Sequence, residues 1–198
     1  NACEHFAAEN LGGAEIELSM LFADVRGSTA LAEQMGTMEF SRLIGRFYKV
    51  ATDVMVKSDA LVDKLIGDEV TGIYTPGFAG PDHARVAIEA AKLLLTATGH
   101  SDAEGPWVPV GAGVHTGEAF VGAVGSEQGL TDITALGDGP NTAARLASAA
   151  ATGEIVVSED AAQAAELDTD DLESRSLELK GKAEPVSVRV IKIHSESD

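Results

Sequence analysis

The sequence predicts an α+β fold built on one antiparallel sheet, and three observations carry that reading. Short apolar or alternating runs of strand length recur along the chain. Two of them flank Gly67-Asp68, a link short enough to make a hairpin. Longer stretches with helical periodicity lie between the others. At 198 residues the chain suits a single domain with a substantial core.

Taken in order, residues 1–14 read as a linker or the end of an upstream signalling segment, closing on Gly12-Gly13. Residues 15–24 form a strand that alternates and then turns apolar. Ser28 is placed to cap a helix with Ala30, Leu31 and Met35 on one face. Residues 38–58 repeat apolar positions at Phe40, Leu43, Ile44, Phe47, Ala51 and Val54, a second helix. Strands at 61–66 and 70–74 flank the Gly67-Asp68 turn, 77–81 is a loop, and 82–98 is an Ala/Leu-rich helix. Strands at 108–116 and 119–124 imply a second hairpin at Gly117. A helix starts at Pro140, a residue tolerated in a first turn, and runs to Ala150. A strand at 154–157, a short helix at 158–166 and strands at 174–180 and 186–193 complete the series. The order β-α-β-β-α-β predicts a ferredoxin-like core, an antiparallel sheet with helices on one face, extended by a C-terminal βαββ segment. One domain therefore covers 15–194, with 195–198 a tail.

The net charge is −18, from 14 Lys+Arg against 32 Asp+Glu. Such a surface repels nucleic acid and anionic lipid, so no nucleic-acid partner is expected. No apolar run approaches the ~20 residues that span a bilayer, and no basic-then-apolar leader is visible. One cysteine, Cys3, permits no disulfide within the chain and fits a reducing compartment. The first residue is Asn, which suggests a piece of a longer polypeptide. The run Asp168, Asp170, Asp171, Glu173 is a solvated loop rather than a metal site.

Asp24 and Asp68 carry the chemistry. Each follows a short apolar run, where a strand ends and its last side chain reaches open space. Two carboxylates so placed can hold two hard cations such as Mg²⁺ side by side, as in-line displacement at phosphorus requires. Lys64 precedes Asp68 by four positions. Arg145 follows Asn141 by one helical turn, so the two share a face near a helix start that favours anions. The planar guanidinium suits a phosphoryl group gaining charge. Taken singly, each acid could be a cap or a turn residue. His115 has no nucleophile partner and reads as structural, and Met20, Met35, Met38 and Met55 as core. Trp107 reads as a strand-start anchor. Glu69 is set aside because neighbouring strand residues point to opposite faces.

With these motifs the chain resembles a class III nucleotidyl cyclase catalytic domain of the threonine-type bacterial branch, across roughly residues 16–193. That family converts ATP or GTP into the 3′,5′-cyclic monophosphate and pyrophosphate. The resemblance implies a head-to-tail homodimer with active sites at the interface, and two Mg²⁺ (or Mn²⁺) as cofactors. Position by position, it implies that Asp24, Asp68 and the Val25 carbonyl bind metal, and that Gly27, Ser28 and Thr29 meet the phosphates. Lys64 and Thr134 would read the base, Asn141 would orient the ribose, and Arg145 would stabilise the transition state. Lys180 would contact the triphosphate, with Lys182 a close competitor. Lys64 favours ATP, since guanine-specific relatives typically carry glutamate there. Gly139-Pro140 replaces a commoner threonine- or serine-valine pair before Asn141. The expectation is an adenylate cyclase acting on ATP, joined to an upstream regulatory domain, with its catalytic domain in the cytoplasm whether or not the full polypeptide is membrane-attached. The alternatives are a catalytically silent nucleotide-sensing dimer module and a guanylate cyclase. A diguanylate cyclase fits less well, because Gly67-Asp68-Glu69-Val70 lacks the glycine and phenylalanine of that signature.

Overall fold

The computed structural model describes residues 13–124, 132–178 and 185–194. Among the described residues, eight strands form one sheet with the order β2-β3-β1-β4-β6-β8-β7, and β5 pairs with the far end of β4. The strands are β1 (Ala14–Val25), β2 (Leu61–Ile66), β3 (Glu69–Tyr74), β4 (Val110–Val124), β5 (Asp132–Leu136), β6 (Glu154–Ser158), β7 (Glu173–Leu177) and β8 (Val186–Lys192). The helices are α1 (Ser28–Met35), α2 (Thr37–Lys57), α3 (Pro76–Ala79), α4 (His83–Ala97), α5 (Asp138–Ala149) and α6 (Glu159–Ala164). Every pairing is antiparallel except β4 with β6. The β2-β3-β1-β4 portion has the ferredoxin-like order, and β6-α6-β7-β8 is the extension.

β1 is buried on both faces, which explains why its alternation gives way to a continuous apolar run. Leu21, Ala23 and Val25 join Phe47, Ala51 and Met55 of α2 and Ala87, Ala91 and Leu94 of α4. Leu18, Met20 and Phe22 point the other way, toward Ala143 and Ala147 of α5. The sheet therefore carries helices on both faces, not one. α5 is the exception, and glycines admit it. A Cβ at Gly113 would lie 2.3 Å from the Ala147 amide nitrogen, and one at Gly111 would lie 3.0 Å from the Ala150 and Ala151 carbonyl oxygens. Small residues on β4 let the helix rest on the backbone itself.

The expected hairpin at Gly117 does not exist. β4 runs unbroken from Val110 to Val124, and Gly117 pairs with Leu18 in a ladder that continues on both sides. Absence of a side chain there reflects the His115 ring, whose Nε2 would sit 2.9 Å from an added Cβ. The ladder with a twelve-residue β1 outweighs a lone glycine's turn preference. β5 was not anticipated, nor was the single turn α3 inside the expected 77–81 loop. α5 begins at Asp138, two residues before Pro140. β7 ends at Leu177, and residues 179–184 lie outside the described residues. Met20 and Met55 are buried as expected, whereas Met38 is 72% exposed on the outer face of α2. His115 lies within β4 rather than at a strand end, and its Nδ1 meets the Ser158 hydroxyl at 2.9 Å. The indole N–H of Trp107 donates to the Ala97 carbonyl at 3.1 Å, with Arg46 stacked over the ring.

Candidate active site

β1 delivers Asp24 to one end of the sheet, and the β2–β3 turn delivers Asp68 beside it. The Val25 amide donates to the Asp68 carbonyl at 3.1 Å, tying turn to strand. Gly67 takes φ +64°, a left-handed conformation that glycine adopts without strain. The Tyr48 hydroxyl donates to the Gly67 carbonyl at 2.7 Å and holds the turn against α2.

The carboxylate of Asp24 is asymmetric. Oδ2 pairs with the Arg26 guanidinium. Oδ1 is buried and has no hydrogen-bond partner among the described residues. Asp68, an acceptor like itself, lies close enough to act on this carboxylate. Burial is the main cause that raises the Asp24 pKa; Arg26 works against it, and the charge and contact of Asp68 push it further up. Glu69 stands directly opposite Asp24 in the β1–β3 ladder, so the two share a face. Asp68 lies in the turn, outside the alternation used to set Glu69 aside. Burial and then the charges of Asp24 and Asp68 raise the Glu69 pKa. No group of three or more His, Cys, Asp or Glu among the described residues is arranged to hold a metal ion. A carboxylate with an orphaned oxygen beside a second carboxylate fits a hard divalent cation, which would relieve both burial and repulsion.

Gly27 is the N-cap of α1 at φ +67°, and Ser28 is the first helical residue. Ser28 does not cap the helix: no side-chain cap bond forms, because glycine occupies that position. Ser28 and Thr29 instead line a cleft of about 460 Å³ with Gly67 and Asp68. A helix start opening on this cleft suits an anion. A larger groove, about 1150 Å³, is lined by Glu15, Glu17, Glu118, Asp138 and Asp160 and repels a polyphosphate.

Lys64 and Thr134 come together through a residue that the sequence did not single out. A register shift lies between Val62 and Lys64 on β2, at Asp63. The Thr134 hydroxyl donates to Asp63 Oδ2 at 3.1 Å, and Lys64 Nζ lies 3.8 Å from the same oxygen. Thr134 is buried and Lys64 half-exposed. Asn141 and Arg145 ride one turn apart on α5, with the Asn141 amide donating to the Gly137 carbonyl at 2.9 Å. Lys180 lies outside the described residues. The groups that shift Asp24 are Arg26, Asp68 and the Val25 amide; neither Lys64 nor Arg145 is among them. Asp24, Asp68 and Glu69 thus form an acidic cluster, while Asn141 and Arg145 lie on α5 and Lys64 on β2.

The family model of the adenylate and guanylate cyclase catalytic domain matches residues 14–192. An adenylate cyclase of Mycobacterium tuberculosis is 29% identical over 84% of this chain and 37% of its own length. One from Anabaena cylindrica is 28% identical over 65% of this chain and 26% of its own. The chain thus spans about a third of these relatives or less. Among solved structures, the guanylyl cyclase Cya2 superposes with a TM-score of 0.82 at 23% identity, covering 94% of this chain and 98% of that one. The adenylyl cyclase CyaB of P. aeruginosa gives 0.76 at 24% identity, covering 93% and 98%. At those identities the structural likeness speaks for the fold alone, while the family model carries the assignment. With its two aspartates at the end of β1 and the β2–β3 turn, this chain belongs to the adenylate and guanylate cyclase catalytic domain family.

Proposed function

We propose that the domain is an adenylate cyclase, forming 3′,5′-cyclic AMP and pyrophosphate from ATP at sites shared between two copies of the chain. The observation that carries this is the Asp24–Asp68 pair, with Asp24 Oδ1 buried and unpartnered beside a second carboxylate. Asp24, Asp68 and the Val25 carbonyl would hold two Mg²⁺ or Mn²⁺ ions. When bound, these supply Lewis acidity at the ribose 3′-hydroxyl and charge neutralisation along the triphosphate. Gly27, Ser28 and Thr29 at the start of α1 receive the β- and γ-phosphates, and Lys180 contacts the same chain of phosphates. Asn141 orients the ribose so that its 3′-oxygen lies in line with the α-phosphorus, where positioning supplies much of the rate. Arg145 neutralises charge growing on the α-phosphoryl and bridging oxygens.

Membership of the family supports the shared arrangement, in which one copy gives Asp24 and Asp68 and its twin gives Lys64, Thr134, Asn141, Arg145 and Lys180. The adenine preference is supported by Asp63. An ionised carboxylate only accepts, so the Thr134 hydroxyl spends its proton on Asp63 and keeps its oxygen as an acceptor. Adenine presents an amino donor there, whereas guanine presents a carbonyl.

The test is direct. Asp24→Ala and Asp68→Ala each abolish cyclic AMP formation while the protein remains a folded dimer. Mixing Asp24→Ala with Arg145→Ala restores about a quarter of wild-type activity, since half of a statistical mixture is heterodimer with one intact site. Near-wild-type turnover by either aspartate variant refutes the cation assignment, and no recovery on mixing refutes the shared site. A wild type that binds ATP and Mn²⁺ without turnover identifies a silent sensing module, and a higher kcat/KM with GTP a guanylate cyclase.

A further inference from the structure

Arg26 is the most heavily committed charged residue near the site. Its Nη2 pairs with Asp24 Oδ2. Its Nε donates to the Asp24 carbonyl at 3.4 Å, and its Nη1 reaches the Ser148 and Ala150 carbonyls at 3.3 and 3.4 Å. Its backbone amide donates to the Pro109 carbonyl at 2.8 Å, so the residue is anchored at both ends. Only 19% of the side chain is exposed.

The carbonyls it reaches belong to the end of α5. A helix leaves its last carbonyls unsatisfied and carries partial negative charge there. α5 has no basic residue in its last turn. Arg26 supplies that cation from the turn after β1, across 122 and 124 residues of sequence. The close approach is built in. Gly111, the partner of Asp24 on β4, leaves room for the Ala150 and Ala151 carbonyls to sit against the strand.

We propose that Arg26 is a positioning residue that couples the cation ligand Asp24 to helix α5. It fixes the carboxylate through Oδ2 so that Oδ1 alone faces the cation site. As a resident positive charge it weakens the hold of that site on divalent ions. A cation accepted by Asp24 repels the guanidinium toward the α5 carbonyls, so occupancy is transmitted to the helix bearing Asn141 and Arg145. Since those two residues serve the twin's site on the shared-dimer reading, Arg26 links the two active sites of one dimer. This inference rests on that reading and on Asp24 as a cation ligand.

The experiment titrates Mn²⁺ into the full chain, following free Mn²⁺ by electron paramagnetic resonance, for wild type, Arg26→Gln and Arg26→Lys. Amide exchange over residues 138–151 is measured with and without Mn²⁺. Removing a unit charge a few ångströms from the ion tightens binding on the order of tenfold in Arg26→Gln. Arg26→Lys keeps the charge and stays within about twofold of wild type, but cannot span Asp24 and two carbonyls. Mn²⁺ alters exchange in the last turn of α5 in wild type and in neither variant. If Arg26→Gln folds and binds Mn²⁺ no more tightly than wild type, the proposal is overturned. An unchanged exchange response in Arg26→Lys overturns the coupling even where Arg26→Gln fails to fold. Wild type that ignores Mn²⁺, or Asp24→Ala that binds it unchanged, shows instead that the cation assignment is wrong, and the inference falls with it.

Discussion

Gly113→Ala is the sharpest test of how α5 is held. An added Cβ would lie 2.3 Å from the Ala147 nitrogen and 2.8 Å from both the Ala143 oxygen and the Leu146 carbonyl carbon. All three are main-chain atoms, so no rotamer change relieves the clash. Ordinary contact begins at 3.4 Å, leaving about 1 Å (3.4 minus 2.3) to be made up by lifting the helix. Overpacking of this kind costs roughly 1–3 kcal/mol of stability. The functional loss is larger in proportion, because Asn141 and Arg145 move with the helix and a 1 Å misplacement of positioning groups costs on the order of 10²-fold in rate. Urea denaturation followed by Trp107 fluorescence reports the first quantity, and cyclic nucleotide formation at saturating Mn²⁺ the second. Gly45→Ala on the exposed side of α2 is the control. Nothing lies within 4 Å of its added methyl, and an interior helical glycine gains about 0.5–1 kcal/mol on the change. Gly113→Ala with wild-type midpoint and turnover would refute the claim that α5 is seated on the β4 backbone.

Other outcomes follow from single contacts. Asp63→Asn can donate to Thr134, freeing its hydroxyl proton for a carbonyl; the ATP-to-GTP ratio of kcat/KM falls on the order of tenfold, and an unchanged ratio removes Asp63 from base selection. Neutral His100 is fixed as the Nδ1–H tautomer, since Nδ1 donates to the Leu95 carbonyl at 3.0 Å and Nε2 accepts from the Val110 amide at 3.2 Å. Burial lowers its pKa below 6.5, so as pH falls the unfolded chain takes up the proton first. Stability from the neutral ring is fully present above about pH 6.5 and is lost as pH drops through the depressed native value. Urea midpoints between pH 7.5 and 5.5 should decline in wild type and flatten in His100→Gln; equal slopes would discount the ring.

Much of the site was legible because strand ends announce themselves. Apolar runs stopping at Asp24 and at Gly67-Asp68 place both acids at one sheet end without knowledge of the pairing. Helical spacing likewise put Asn141 and Arg145 on one face. What escaped depends on contacts far apart in sequence. Asp63 sits at a register irregularity, and its bond to Thr134 crosses 71 residues. Glu69 enters the carboxylate field through the register of β1 with β3, which no local pattern encodes. Gly117 has the composition of a turn, yet its neighbours find partners along the whole length of β1. α5 shows one apolar stripe in sequence, but which side of the sheet it covers is decided by the glycines beneath it.

The ordering of strands has one more consequence. Open sheets invite other chains to continue them at their margins, and here the two ends of the main strand order, β2 and β7, discourage it. β2 has six residues, an irregularity at Asp63 and a lysine next to it. β7, at the opposite end, has five residues, of which Glu173 and Arg175 are locked into charge pairs. Strand-by-strand polymerisation through β2 or β7 is thereby disfavoured.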